Sequence, residues 1–128
     1  MALKPVYILV NNLFFAEKIV KTAQGMGLEA KAFDTAQRLV QSAGEREPAL
    51  VIMDCEGLEK ESHQLLKELR SEEKLLKVPP IGYLSHTSRD LKREMREAGC
   101  VQVYNKAEFT RELENLLTRY AHGVSYRV

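Results

Sequence analysis

Short apolar runs alternate with amphipathic segments five times along the chain. The runs Val6-Tyr7-Ile8-Leu9-Val10 and Leu50-Val51-Ile52-Met53 are continuous, without the in-out alternation of a strand that has one wet face. Continuous runs of this length suit strands of a parallel sheet covered on both sides. They place a first strand over Pro5 to Asn11 and a third over Pro48 to Asp54; a fourth follows over Ile81 to Leu84 and a fifth over Cys100 to Tyr104. Leu28 to Phe33 is short and alternating, which predicts a second strand near an edge.

Between these runs the apolar period lengthens to that of a helix. Ala16, Ile19, Val20, Ala23 and Met26 form one stripe, closed by Gly27. Ala36, Leu39, Val40 and Ala43 form the next, opened by Asp34 or Thr35 as cap and stopped at Gly44. Leu58, Leu65, Leu66 and Leu69 share one side of the segment Leu58 to Glu72, and Pro79-Pro80 bars helix beyond it. Ser85 to Ser88 offers caps for a helix with Leu91, Met95 and Ala98 inward, ending at Gly99. Phe109, Leu113, Leu116, Leu117 and Tyr120 make the inner stripe of the last helix, and Ala121 to Val128 has no pattern.

Five strands alternating with five helices predict a parallel sheet with helices on both faces. Right-handed crossovers then favour a doubly wound, flavodoxin-like α/β sandwich of three layers with strand order 2-1-3-4-5. No linker or repeat divides the 128 residues, so one domain is expected over 1–128, with its core at about 5–120 and a tail at 121–128.

Charge narrows the partners. Nineteen basic against eighteen acidic residues leave a net +1, which gives no field to attract nucleic acid or anionic lipid. The basic run Arg89 to Arg96 is interleaved with Asp90 and Glu94 and reads as a salt-bridged solvent face. No apolar run approaches the roughly 20 residues needed to span a bilayer. Met1 to Pro5 lacks the apolar core of a secretory signal, so a cytoplasmic protein without membrane insertion is expected. Cys55 and Cys100 lack metal-ligand spacing and are expected to be small buried thiols. His86 reads as a surface-loop residue, and His63 and His122 as solvated helix positions.

In an open parallel sheet, ligands collect beyond the carboxyl ends of the strands at the switch point between the first and third. Those ends carry Asn11-Asn12, Asp54, Ser85 and Lys106. Their order and spacing resemble the receiver domain of bacterial response regulators over roughly residues 5 to 120. The stretch Ile81 to Phe109 is the most specific: a strand ending on Ser85, a helix ending at Ala98-Gly99-Cys100, and a strand leading to Lys106. The resemblance implies a phosphoacceptor aspartate at Asp54, phosphate contacts from Ser85 and Lys106, and an acidic pair for Mg²⁺ at the positions of Asn11 and Asn12.

Here that pair is two amides. Two unit charges 4 Å apart interact by about 4 kcal/mol at an effective dielectric of 20, a gross figure that desolvation reduces. A net loss of about 3 kcal/mol weakens metal binding on the order of a hundredfold. Glu56, two residues past Asp54, could return one negative charge to the rim, although a solvated loop glutamate is the commoner state. Lys106 precedes Ala107 where the family has proline, so a trans bond is expected, with the lysine aimed elsewhere or paired with Asp54 across an empty pocket. The family's switch aromatic falls on Val103, and Tyr104 faces the other side. Asn11 and Asn12 suit helix capping. Phe14 and Phe15 cannot both point inward with Ile19, so one is expected either at the pocket mouth as a protein contact or partly buried under the loop after the third strand.

The sequence is therefore read as an atypical, non-enzymatic receiver-like module, independent of phosphorylation and of cofactors. Its degenerate pocket is Asn11, Asn12, Asp54 and Glu56. It would act through contacts with signalling proteins (a histidine kinase, scaffold or effector) or with itself. By resemblance, the face is that of the fourth helix, fifth strand and last helix, including Val103, Tyr104, Arg111 and Glu114. One alternative is a working receiver phosphorylated on Asp54 by a histidine kinase with Mg²⁺. Another is a small-molecule binder in the crevice, although no glycine or Ser/Thr cluster cradles a phosphate after the first strand.

Overall fold

Leu50–Asp54 is buried at every position and lies at the centre of the sheet. The computed structural model describes residues 3–85 and 88–121. Five parallel strands, β1 (Val6–Leu9), β2 (Ala30–Phe33), β3 (Leu50–Asp54), β4 (Pro80–Leu84) and β5 (Gln102–Asn105), pair in the order β2-β1-β3-β4-β5. The helices are α1 (Leu13–Gly25), α2 (Ala36–Glu45), α3 (Glu59–Ser71), α4 (Arg89–Ala98) and α5 (Lys106–Tyr120), with a short 3-10 turn at Glu73–Leu75. This is the flavodoxin-like doubly wound fold expected from the alternation of periods.

Strand alternation sorts the core into two layers. Val6, Ile8, Leu50, Ile52, Ile81 and Tyr83 face α1 and α5, where Ile19, Phe109 and Leu113 meet them. Tyr7, Leu9, Val51, Met53, Leu84 and Val103 face α2, α3 and α4, against Leu39, Leu65 and Met95. Both cysteines are free thiols buried in the second layer.

Caps set the helix starts. Asn12 accepts from Phe15 N at 3.0 Å, Thr35 from Arg38 N at 3.2 Å and Ser88 from Leu91 N at 3.2 Å. Asn105 and Glu108 form a reciprocal capping box at the start of α5, with bonds of 2.8 and 3.0 Å. At the other end of α4, Gly99 takes φ +133°, and the Gly99 and Cys100 N–H groups turn back to Met95 O.

Several expected boundaries move. β1 ends at Leu9, so Asn11 and Asn12 lie exposed in the connection to α1 and not at the strand tip. Gly44 does not stop α2, which runs on to Glu45 and ends where Arg46 becomes extended, two residues before Pro48. β5 starts at Gln102 because the Cys100 N–H is held by the end of α4. His86, His122 and the segment 122–128 lie outside the described residues. Among the described residues, no helix is long and apolar enough to cross a membrane.

Candidate functional site

Asp54 is the last residue of β3, and its side chain lies on the α1/α5 face beside Tyr83, its register partner on β4. It is one of the few polar side chains the core buries. One carboxylate oxygen, Oδ1, accepts from the backbone N–H of Gly57 at 2.7 Å and of Glu56 at 3.2 Å. A Cβ at Gly57 would overlap Oδ2, so the loop fits round the carboxylate only because residue 57 has no side chain. The Asp54 carbonyl accepts from Leu58 N at 3.0 Å and from the buried Ser62 hydroxyl at 3.1 Å, fixing the start of α3.

The other rim residues point to different tasks. Asn11 is exposed, and Asn12 spends its side-chain oxygen on capping α1. Glu56 is half-buried, and Ser85 is exposed at the end of β4. The expected pairing of Lys106 with Asp54 does not form: Lys106 Nζ lies 4.4 Å from the centre of the Phe15 ring. The cause is local. The capping box draws Lys106 into the first turn of α5, and Phe15, the inward member of the Phe14-Phe15 pair, receives its ammonium. The Lys106–Ala107 peptide is trans.

Aromatic rings fill the space beneath. Phe15 meets Tyr83 edge-on at 5.0 Å, Tyr83 stacks on Phe109 at 4.9 Å, and Tyr104 approaches Phe109 at 6.4 Å. The Tyr83 hydroxyl is buried without a hydrogen-bond partner among the described residues. Burial, and then the nearby Asp54 charge, push its pKa far above the ordinary tyrosine value. On the opposite face, a hydrogen bond with Cys100 and then burial raise the Cys55 thiol strongly, so it stays protonated. Gly82 leaves the room that these two sulfurs occupy, since a Cβ there would lie 2.5 Å from Cys55 Sγ and 3.3 Å from Cys100 Sγ.

On the expected contact face, Tyr104 is half-buried and packs toward Phe109, while Arg111 and Glu114 are exposed. Val103 is corrected: it is 2% exposed in the α2/α3/α4 layer, because β5 alternation turns it inward, and it offers no surface. Val101, 52% exposed just before β5, offers an apolar side chain there. Among the described residues, the most exposed large apolar side chains instead sit at the start of α1, where Leu13 is 82% and Phe14 90% exposed, directly before Phe15 in the chain.

Sequence reasoning passed over Tyr83, Ser62 and Gly57. Tyr83 carried a usable signal: with β3 and β4 adjacent, strand ends align and it falls beside Asp54. Ser62 carried none, being one hydroxyl on a helix rich in polar residues.

No family model matches the sequence, and no curated protein matches it. Solved structures share the fold. The chemotaxis protein CheY4 of Vibrio cholerae matches with a TM-score of 0.81 at 18% identity, over 93% of this chain and 99% of that one. The receiver domain of the sensor histidine kinase PA1611 of Pseudomonas aeruginosa, solved with a magnesium ion in its active-site cleft, matches at 0.77 and 21% identity, over 91% and 96%. NtrX of Brucella abortus matches at 0.77 and 17% identity over 94% of this chain, which spans only 26% of that protein. At these identities the likeness is one of fold.

Proposed function

We propose that this chain is an atypical receiver domain of two-component or phosphorelay signalling that works through protein contacts without a phosphoryl switch. The observation that carries the reading is the state of Asp54. Its Oδ1 is engaged by the Gly57 and Glu56 N–H groups, while the acidic-pair positions hold Asn11 and Asn12 and Lys106 sits over Phe15. Mg²⁺ needs hard anionic oxygens, and one carboxylate with a half-buried Glu56 beside it is a poor set. The donor set does not fit the ion. Switching in such folds also needs a bistable element; here β5 offers a buried Val103 in place of an aromatic, and Tyr104 is committed to the opposite layer.

The partner in this reading is another cytoplasmic signalling protein, a kinase, scaffold or effector, or a second copy of the chain. The α4–β5–α5 face provides exposed Val101, Arg111 and Glu114, and the start of α1 adds Leu13 and Phe14. Two large apolar side chains exposed side by side favour docking onto an apolar partner surface. Nucleic acid is not favoured at a net charge of +1. The test is incubation with acetyl phosphate and MgCl₂ followed by intact-mass analysis. No acid-labile phosphoryl adduct is expected; an adduct lost in Asp54→Ala would establish the phosphoacceptor alternative.

A further inference from the structure

Away from the rim, one group of donor atoms joins two helices. Glu59 and His63 lie one turn apart on α3 and project from the same face. Glu94 meets them from α4, with one oxygen 2.6 Å from His63 Nε2. One donor atom from each of Glu59, His63 and Glu94 falls within 4.8 Å of the others. Both glutamates are exposed and the histidine is half-buried, so the group is open to solvent at its edge.

We propose that Glu59, His63 and Glu94 bind a borderline divalent transition-metal ion, Zn²⁺ foremost, as a clip between α3 and α4. The donor types decide the metal. An imidazole nitrogen suits zinc, nickel or copper, whereas magnesium and calcium take oxygen-only sets. Three protein ligands with a fourth place for water is a common zinc arrangement. With metal–ligand bonds near 2.0–2.1 Å, donors in a tetrahedral site stand about 3.3–3.4 Å apart. His63 Nε2 and a Glu94 oxygen stand 2.6 Å apart and all three donors lie within 4.8 Å of one another, so rotations of the two exposed glutamate side chains bring the set to that spacing.

The helices are already held at the needed separation. Arg70 Nη1 donates to Ala98 O at 2.8 Å, joining α3 to the end of α4, so binding orders side chains and not backbone. Lys67, one turn beyond His63, puts a positive charge into the same groove and limits affinity. An apparent Kd on the order of 10 µM is expected, far weaker than a closed four-ligand structural site. The zinc clip is independent of what happens at Asp54.

The experiment is calorimetric titration of the reduced full chain with ZnCl₂ in excess MgCl₂. One equivalent should bind the wild type, and His63→Ala and Glu94→Gln should each weaken binding at least tenfold. Zinc should raise the thermal midpoint of the wild type and leave that of both variants unmoved. Absence of saturable heat would overturn the proposal. So would equal affinity in His63→Ala, which would assign the ion to other histidines or the thiols. Displacement of zinc by magnesium would overturn it too.

Discussion

The ammonium of Lys106 stands 4.4 Å above the ring of Phe15, whose other neighbours are Tyr83 and Phe109. A half-buried cation over an aromatic face is worth about 1 kcal/mol, between exposed and desolvated cases. Lys106→Ala should therefore lower unfolding stability by about 1 kcal/mol, and most of that cost should vanish in a Phe15→Leu background. Urea denaturation of the four proteins measures the coupling. Full additivity would mean that the lysine is not held by the ring.

Gly57 and Asp54 should behave as one unit. A methyl at residue 57 overlaps the carboxylate and forces it off two backbone N–H groups, leaving a buried charge poorly satisfied. Gly57→Ala should cost about 1–3 kcal/mol. In an Asp54→Ala background the same change should cost little, because the clashing group is gone. Equal cost in both backgrounds would refute the loop geometry.

Tyr83→Phe should stabilise the protein. The hydroxyl is buried and unpartnered among the described residues, a state that costs about 1–3 kcal/mol, while the ring contacts are kept. A gain of about 1 kcal/mol, or a rise in Tm of a few degrees, is expected in thermal melts. A loss of stability would show that the hydroxyl has a partner.

Acid should weaken the start of α5. The Asn105 N–H above all holds the Glu108 carboxyl below its usual pKa; burial opposes it, and the charges of Lys92 and Arg111 add to the lowering. A depressed folded-state pKa contributes stability above the unfolded value, about 4.3, and that contribution is lost as pH falls through the folded value. Glu108→Gln keeps an acceptor for the Asn105 N–H but cannot titrate. Its stability should fall less than that of the wild type between about pH 5 and pH 3. Parallel pH profiles would argue against the capping box.

The fold was legible because two periods, continuous apolar runs and helical stripes, carried it. Buried strands such as Leu50–Asp54 have few other places to go. Helix ends were read where a cap or a positive-φ glycine fixed them, as at Asn12 and Gly99, and misread at Gly44, whose backbone is not left-handed. The rim residues were legible as a set but not in their directions. Whether Lys106 turned to Asp54 or to Phe15 depended on where α5 begins, and that depends on a capping box one residue before the lysine. Of the three donors proposed for zinc, Glu59 and His63 share an i,i+4 spacing on α3, but Glu94 comes from a second helix, and only the packing of α3 on α4 brings it to them.

The proposed function requires that the rim holding Asp54 neither recruits Mg²⁺ nor accepts a phosphoryl group. Titration of the isotope-labelled chain with MgCl₂ and beryllofluoride, followed by amide NMR, tests it most directly. Unchanged resonances at Asp54, Glu56, Gly57, Ser85 and Lys106 are expected. Saturable shifts at those amides, abolished in Asp54→Ala, would establish a working phosphoacceptor site.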